Sequence, residues 1–394
     1  MLDFMDHVQQ AFYEASHWNL DNSYGSLNAT ARALLDFQTP RGLRLQISSL
    51  AAPNFATSYT LGSVGVVDGS VSYLYSSLPL TRSFRSSDLH LNHVIRGYRH
   101  LLDLRRPDEK WWWEVWHGGR RIDRRDTLLY GRIYLPQSTL EALYLRRLSP
   151  TRQLKISAVS DSSMNHGGTI LALLQNDYGK YSTEYMYSTD SALMGIRGLY
   201  NFGVDPRVKP SKPSNSPDIT EQNNGRFSAG AELYYGLLNK SGGISTGLRF
   251  TTLPNHTGFP YTMTLTMNPL MGNLSSTYAV KAGQNLALCS RFDFNFYSYE
   301  SELQLGCELW RRRNSSADVE WTRKKLRPDW ERANVTSDDD VSGVLKAHVD
   351  QNCRIGLLWE GRIKELLFSL GTSLDLKKRE QIFRAVGIEL QYSS

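Results

Sequence analysis

The chain has no hydrophobic run long enough to cross a bilayer as a helix. A spanning helix needs roughly 18 or more apolar residues in a row, whereas a long apolar stretch of this chain, residues 170–174, has only five. The mean hydropathy is −0.42. These values exclude a helical membrane protein. They do not exclude a transmembrane β-barrel, whose strands hide the membrane face in an alternating pattern.

Cysteine and metal-ligand patterns are also scarce. The chain has 3 cysteines, at Cys289, Cys307 and Cys353, and their odd number and irregular spacing argue against a disulfide framework and a zinc site. Among the 9 histidines, His90 and His93 have a ligand-like spacing, but no second pair accompanies them. We therefore predict reduced thiols, no catalytic residue, no metal and no cofactor.

The first residues lack the features of a targeting leader. Asp3 and Asp6 are acidic, and no basic residue lies near them. A secretory signal begins with a basic region, and a mitochondrial presequence is rich in arginine. We expect neither kind of leader. Because a bacterial outer-membrane barrel needs a secretory signal, the expected location is the outer membrane of an organelle.

Alternation with a period of two residues recurs along most of the chain. It is clearest in residues 227–237, 244–250, 261–267, 286–296 and 303–309. A soluble β-sandwich also alternates, but here aromatic residues recur along one face, as in the interface girdles of barrels. The pattern and the length predict an all-β transmembrane barrel of roughly 14–19 strands. Asp68 and Gly69 predict a tight hairpin turn at residues 67–70.

Aromatic residues mark two kinds of predicted surface. Alternating aromatics in two segments are predicted to face lipid or a partner: Tyr73, Tyr75, Phe292, Phe294 and Phe296. A tryptophan-rich segment flanked by arginines is predicted to anchor the protein at the membrane interface. Its tryptophans are Trp111, Trp112, Trp113 and Trp116. A dedicated binding site is the alternative for this segment.

The C-terminal residues alternate as a closing barrel strand would. Val386, Ile388, Leu390 and Tyr392 fall on one face, and Gly387 falls on the other. The segment is similar to the mitochondrial β-signal, in which a polar residue and a glycine precede two hydrophobic residues. We predict that Gly387, Leu390 and Tyr392 form an insertion signal. Ala385 occupies the polar position, so we expect Arg384 or the basic residues 377–379 to supply the polarity.

The chain divides into a helical start and a long barrel. Phe4, Val8 and Phe12 recur at helical spacing, which predicts an N-terminal helical segment in residues 1–40 and a barrel in residues 41–394. Within the barrel, residues 204–226 are rich in proline and residues 311–340 are rich in charge. Both are predicted to be long polar loops, and contact with anionic headgroups or acidic partners is a further interpretation.

Several long runs carry a more specific resemblance. They are the opening residues 1–5 and 11–15, the run 22–37, and the segments 39–43, 58–62 and 69–75. Together they resemble the fungal mitochondrial distribution and morphology protein 10 family, and the likeness covers the chain from end to end. The resemblance implies a porin-like barrel of about nineteen strands in the mitochondrial outer membrane, with a helix tucked into the pore.

The resemblance also implies a non-enzymatic function. Family members are the membrane-embedded subunit of the ER–mitochondria encounter structure, which supports phospholipid exchange, mitochondrial morphology and inheritance. They also join the sorting and assembly machinery. The implied partners are other subunits of the tether, the core barrel of that machinery and membrane phospholipids, with no nucleic acid. A porin-type solute channel and, more remotely, a lipid-modifying barrel enzyme are the alternatives that the alternation leaves open.

Overall fold

The computed structural model describes most of the chain. The described residues are 1–64, 66–80, 84–101, 104, 114–117, 120–123, 126–164, 167–203, 225–253, 258–283, 285–312, 341–377 and 382–394. Helix α1 (Phe4–Ala15) and helix α2 (Ala29–Leu35) lie before the first strand, with a 3-10 turn at Tyr24–Ser26 between them. The other helical elements in the described residues are a short helix α3 (Leu91–Val94) and a 3-10 turn at Asp190–Ala192.

Twenty-one strands follow in the described residues. They are β1 (Gly42–Ala52), β2 (Phe55–Val64), β3 (Val66–Ser76), β4 (Glu114–His117), β5 (Arg120–Asp123), β6 (Thr127–Leu135), β7 (Leu140–Ser149), β8 (Arg152–Ser160), β9 (Gly168–Asp177), β10 (Tyr181–Ser188), β11 (Leu193–Asn201), β12 (Gly225–Gly236), β13 (Ser241–Thr252), β14 (Tyr261–Asn268), β15 (Asn273–Lys281), β16 (Leu286–Asn295), β17 (Ser301–Arg312), β18 (Val341–Asp350), β19 (Arg354–Ile363), β20 (Leu366–Asp375) and β21 (Phe383–Ser393).

Nineteen of these strands form one closed sheet, and β4 and β5 pair only with each other. Neighbouring strands of the sheet are antiparallel, except that β21 pairs with β1 in parallel. An odd number of strands requires one such parallel pair. The predicted fold class, a barrel of about nineteen strands with a helical start, is confirmed. No helix in the described part of the chain is both long enough and apolar enough to cross a membrane.

The two ends of the barrel differ. Because strand direction alternates, the connections after β3, β11 and β17 leave from one end, and they are the longest in the chain: residues 77–126, 202–224 and 313–340. We call this the long-loop end. The opposite, short-turn end carries compact connections such as residues 136–139, 189–192 and 237–240.

The two faces of the strands have different environments. Ala56 and Leu74 are buried in contact with α1, whereas Tyr73 and Tyr75 are exposed on the other face of β3. The first 36 residues pack against β2 and β3, against β11 and β12, and against β15–β18. Strands so far apart around the ring can be reached together only from inside it. The N-terminal segment (residues 1–41) therefore lies within the barrel lumen.

The predicted hairpin turn at residues 67–70 is wrong. These residues belong to β3 and pair with β2, with Asp68 opposite Gly62 and Gly69 opposite Leu61. The chain reverses three residues earlier, between the end of β2 at Val64 and the start of β3 at Val66. Because Gly62 has no side chain, the Asp68 side chain can lie over it within the sheet.

Several predicted features fall outside the described residues. Trp111, Trp112 and Trp113 lie there, and Trp116 is described only as part of the backbone of β4. Of the two predicted polar loops, residues 225–226 belong to β12 and residues 311–312 to β17, and residues 204–224 and 313–340 are not described. Lys378 and Arg379 are also outside the described residues.

Candidate functional site: the filled lumen and the parallel seam

The C-terminal strand closes the barrel. β21 pairs with β20 on one side and with β1 on the other, and Gly387, Leu390 and Tyr392 lie opposite Gly42, Leu45 and Ile47. Leu390 and Tyr392 are half-buried, and Arg384 is exposed near the start of the strand. The residues of the predicted insertion signal therefore lie along the seam. Their role in insertion stays a prediction.

Gly387 is where the N-terminal segment passes from the lumen into the wall. A Cβ atom at this position would lie 2.6 Å from the carbonyl carbon and oxygen of Pro40 and 2.7 Å from the oxygen of Gly42. At Gly371 on β20, a Cβ would lie 2.5 Å from Cδ of Pro40. These distances are too short for any side chain, so the crossing requires glycine. The requirement explains a glycine at the position where the signal pattern also has one.

Helix α1 fills one side of the lumen. Its spacing places Phe4, Val8 and Phe12 on one buried stripe, and Val8 and Phe12 are fully enclosed. They pack with inward residues of the wall, among them Leu74 and Leu128. Burying an aromatic or aliphatic side chain stabilises by about 1.5–3 kcal/mol. The helix is therefore held mainly by apolar contacts.

Hydrogen bonds hold the turn that follows α1. Asn22 donates through Nδ2 to Oδ1 of Asp177 at 2.6 Å, and its Oδ1 accepts from Nδ2 of Asn201 at 2.8 Å. Ser23 donates to a carboxylate oxygen of Glu184 at 2.8 Å. Asn22, Glu184 and Asn201 are buried, and Ser23 and Asp177 are half-buried. Each buried polar group thus has a partner, which is the condition for enclosing it without a large cost.

Helix α2 reaches the opposite wall. Leu34 and Leu35 pack on Ala279, Ala287 and Cys289 of β15 and β16. At its end, Asp36 accepts two hydrogen bonds of 2.8 Å from the Arg291 guanidinium. Such a two-pronged pair fixes orientation as well as distance.

A second segment enters the lumen between β3 and β6. We call residues 84–101 the luminal loop. Its apolar residues form a cluster with the start of the chain and with two wall residues, Val344 and Leu367. The loop residues in this cluster are Leu89, Leu91, Val94 and Ile95. The amide of Leu2 also donates to the carbonyl of Val94 at 2.9 Å, so the two inner segments pack on each other.

Charged groups tie the luminal loop to the wall and to α1. Arg362 of β19 donates to the carbonyls of Ser87 and Leu89 at 2.9 and 3.0 Å. Arg96 pairs with Asp6 of α1 at 2.9 Å. A buried ion pair lies beside them, with Nζ of Lys346 3.4 Å from Glu360, and Lys346 also donates to the carbonyl of Arg96.

Sequence reasoning missed the luminal loop. The pattern in this stretch predicts no inner segment, and only the spacing of His90 and His93 stands out. Residues 84–101 interrupt the alternation yet carry five large aliphatic residues, which is unusual for a solvated loop and could have indicated burial. Their spacing follows neither a helix nor a strand. Only contact with the wall explains their burial.

Enclosure shifts the titration of groups on the inner segments. Burial raises the pKa of Tyr13 to about 12. Burial, with a smaller contribution from nearby Asp3, raises the pKa of Asp6. Burial and then the charge of Lys281 lower the pKa of His100. Each shift favours the uncharged form, as expected where water is partly excluded.

One cavity lies beside the turn that follows α1. A cavity of about 230 Å³ remains between residues 18–26 and the walls of β9 and β10, lined by Trp18, Asn22, Gln175 and Glu184 among others. This is below the roughly 300–1,000 Å³ of typical ligand pockets. Among the described residues, no cluster of His, Cys, Asp or Glu is arranged to hold a metal ion.

One hydrolase-like pattern occurs in a setting that does not suit it. Residues 243–247 read Gly-Ile-Ser-Thr-Gly, the spacing of a nucleophile elbow. An elbow needs a sharp strand-to-helix turn, but this stretch lies inside β13. The Ser245 hydroxyl is 2.8 Å from the Tyr24 hydroxyl. Ser245 therefore contributes to holding the N-terminal segment.

The predicted outer faces are on the outside of the wall. Tyr73, Tyr75, Phe292 and Phe296 are exposed, and Phe294 is half-buried against Phe296. These residues lie on the face opposite the lumen. Contact with lipid or a partner stays a prediction for them.

Comparisons with known proteins show the family of the chain. The family model described as "Mitochondrial distribution and morphology protein 10" matches residues 1–339 and 322–394. The chain belongs to this family. It is 81% identical over 394 residues to the mitochondrial distribution and morphology protein 10 of Phaeosphaeria nodorum and 63% identical over 404 residues to that of Sclerotinia sclerotiorum. It is 44% identical over 480 residues to that of Neurospora crassa. Each alignment covers all of both chains.

Membership in the mitochondrial distribution and morphology protein 10 family indicates the location and the general role of the barrel. Together with the closed sheet, it makes the chain a barrel of a mitochondrial membrane with a role in mitochondrial distribution and morphology. It points to a structural or scaffold protein within a mitochondrial membrane complex.

Proposed function

We propose that this chain is an outer-membrane scaffold of mitochondria with two tasks. It anchors a complex that tethers the organelle to the endoplasmic reticulum and so supports phospholipid exchange, morphology and inheritance. It also assists the assembly of other β-barrel proteins with the sorting and assembly machinery. Its partners are the other tether subunits, the core barrel of that machinery and membrane phospholipids.

The filled lumen is the observation that carries the proposal. Two segments, residues 1–41 and the luminal loop, occupy the interior and are held by buried apolar clusters. A solute channel needs a continuous aqueous path instead. A barrel with two segments packed inside it is suited to presenting its rims and outer wall to other proteins.

Conductance in planar bilayers separates a scaffold from a porin-type channel. We expect the purified chain to insert without producing steady porin-like conductance. A variant in which residues 84–101 are replaced by a short Gly–Ser linker should conduct, because the replacement removes one of the two segments that fill the lumen.

The matched control replaces residues 204–224, which belong to a connection at the long-loop end, with the same linker. Like the unmodified chain, this control should produce no steady conductance. Steady conductance by the unmodified chain would overturn the scaffold proposal in favour of the channel.

The long-loop end supplies the surface for the proposed partners. It carries the three longest connections, and residues 204–224 and 313–340 are long enough and polar enough in sequence to dock proteins. Crosslinking and mass spectrometry on native outer membranes test the partner assignment. Crosslinks from this end to tether subunits and to the assembly machinery are expected. Crosslinks to neither group would contradict the proposal.

A further inference from the structure

Three turns at the short-turn end expose large apolar side chains. They connect β12 to β13, β14 to β15, and β16 to β17. Leu238 is 72% exposed, Met271 62%, Tyr297 69% and Tyr299 81%. We call this set the apolar rim: Leu237, Leu238, Leu270, Met271, Phe296, Tyr297 and Tyr299. Turn residues normally face water and are polar, so the rim needs an explanation.

The turns of the apolar rim are adjacent, and two of them are bonded to each other. The three turns are neighbours because β12 to β17 are consecutive in the sheet. Tyr297 lies over Gly272, where a Cβ would be 2.6 Å from its ring, and its hydroxyl donates to the carbonyl of Pro269 at 3.0 Å. The amide of Phe296 donates to the carbonyl of Gly272 at 2.8 Å. Two neighbouring turns are therefore fixed to each other.

Other turns at the same end have a different composition. Residues 136–139 are Pro, Gln, Ser and Thr, residues 189–192 are Thr, Asp, Ser and Ala, and residues 351–353 are Gln, Asn and Cys. None of these three turns exposes a large apolar side chain. The connection from β20 to β21 at this end also exposes Leu376 and Ile382. Exposed large apolar residues are thus absent from the three polar turns, and they are not a general property of the described short turns.

The rim continues the outward face of the strands below it. Tyr235, Met267 and Phe292 are exposed on the outer surface of β12, β14 and β16, near the same end. From each of them, apolar residues continue into the turn above. Exposed apolar patches of this kind mark a contact surface, and in membrane barrels amphipathic aromatics sit at the headgroup level.

We propose that the apolar rim is immersed in the bilayer interface, so its partner is a lipid surface. On this side the apolar surface extends one turn beyond the strands, and on the side of β6 to β11 it ends with them. A barrel with unequal apolar heights on two sides tilts, or thins the adjacent leaflet, to match the bilayer. The β12–β17 side therefore sits deeper at the short-turn end.

Depth-dependent quenching tests the proposal on the full chain. Single cysteines replace Leu238, Met271 or Tyr299 in a chain whose native cysteines are changed, and each is labelled with bimane. The chain is reconstituted into phosphatidylcholine liposomes containing nitroxide lipids, and only the heat-modifiable, folded fraction is measured. Phe292→Cys is the lipid-facing reference, and Gln137→Cys and Asn352→Cys, in polar turns, are the matched controls.

Rim labels should show blue-shifted emission and lose it to nitroxide lipid as the Phe292 label does. The control labels should be quenched by iodide in water instead. Rim labels that behave like the controls would overturn the proposal. Rim labels that lose water contact only after mitochondrial membrane proteins are added would also overturn it and would assign the rim to a protein partner.

Discussion

Glycine residues set where the inner segments touch the wall. At Gly306 on β17, a Cβ would lie 2.6 Å from Leu35 and 3.2 Å from the carbonyl of Leu34. At Gly387 the backbone of the N-terminal segment passes from the lumen into the wall. Both positions face the lumen in strands whose outward neighbours are apolar. The absence of a side chain at these positions allows a helix or a backbone to pack directly on the sheet.

Gly387→Ala should destabilise the barrel. The added methyl group would overlap the backbone of Pro40, and forcing a group into a packed site typically costs about 1–3 kcal/mol. Urea unfolding of the reconstituted protein, followed by tryptophan fluorescence, measures the loss in the free energy of unfolding. Gly198→Ala is the control, since nothing lies within 4 Å of a Cβ there. An equal loss in the free energy of unfolding for the two variants would show that the contact between Gly387 and Pro40 is not the cause.

Phe294→Arg should reduce the folded fraction in bilayers. Phe294 lies on the outer face with its ring centroid 5.3 Å from that of Phe296. An arginine on the lipid face costs about 2–4 kcal/mol at the bilayer midplane and about 0–1 kcal/mol near the interfaces. Phe294 is the next-to-last residue of β16, so we expect a loss of about 1 kcal/mol. The folded fraction in liposomes at increasing urea is the measurement, and Phe294→Leu should remain close to the unmodified chain. An unchanged folded fraction for the arginine variant would refute the placement.

At the scale of elements, the luminal loop depends on contacts with the wall. Arg362→Ala should loosen it, because two hydrogen bonds to the carbonyls of Ser87 and Leu89 are lost. A loss of about 1 kcal/mol in local stability corresponds to roughly fivefold faster amide exchange. Hydrogen exchange with mass spectrometry of residues 84–101 is the measurement. Arg44→Ala, at an exposed arginine of β1, should leave exchange there unchanged, and an equal effect would count against the contact.

The sequence allows the strands to be predicted better than the segments between them. Outward residues such as Phe292 follow from alternation, because each strand has one face toward lipid and one toward the lumen. The turn predicted from Asp68 and Gly69 was wrong because such a sequence can lie within a strand. Here the residue opposite Asp68 is Gly62, which has no side chain to exclude it. The luminal loop could not be predicted because its burial depends on Val344 and Leu367, which are over 200 residues away.

At the scale of the whole molecule, the last strand determines closure and, by prediction, insertion. Changing Leu390 and Tyr392 together to Ser should stall import at the assembly stage while passage across the outer membrane stays intact. The reason is that the assembly machinery must pair an exposed strand edge with one apolar face. Import into isolated mitochondria, followed by native gels and protease protection, measures each stage.

Val386→Ser with Ile388→Ser is the matched control, since both residues are exposed on the same face of β21. Normal assembly of the Leu390 and Tyr392 double variant would show that the signal lies elsewhere. Equal stalling of both double variants would show that the strand needs general hydrophobicity and has no specific signal.

The crossing of Pro40 against Gly387 joins the two extremes of the chain. The segment that precedes β1 leaves the lumen beside β21. A chain that stops before β21 therefore lacks the surface against which its own beginning is seated. Wall closure and the exit of the N-terminal segment thus depend on one strand, because β21 pairs with β1 and also contacts Pro40.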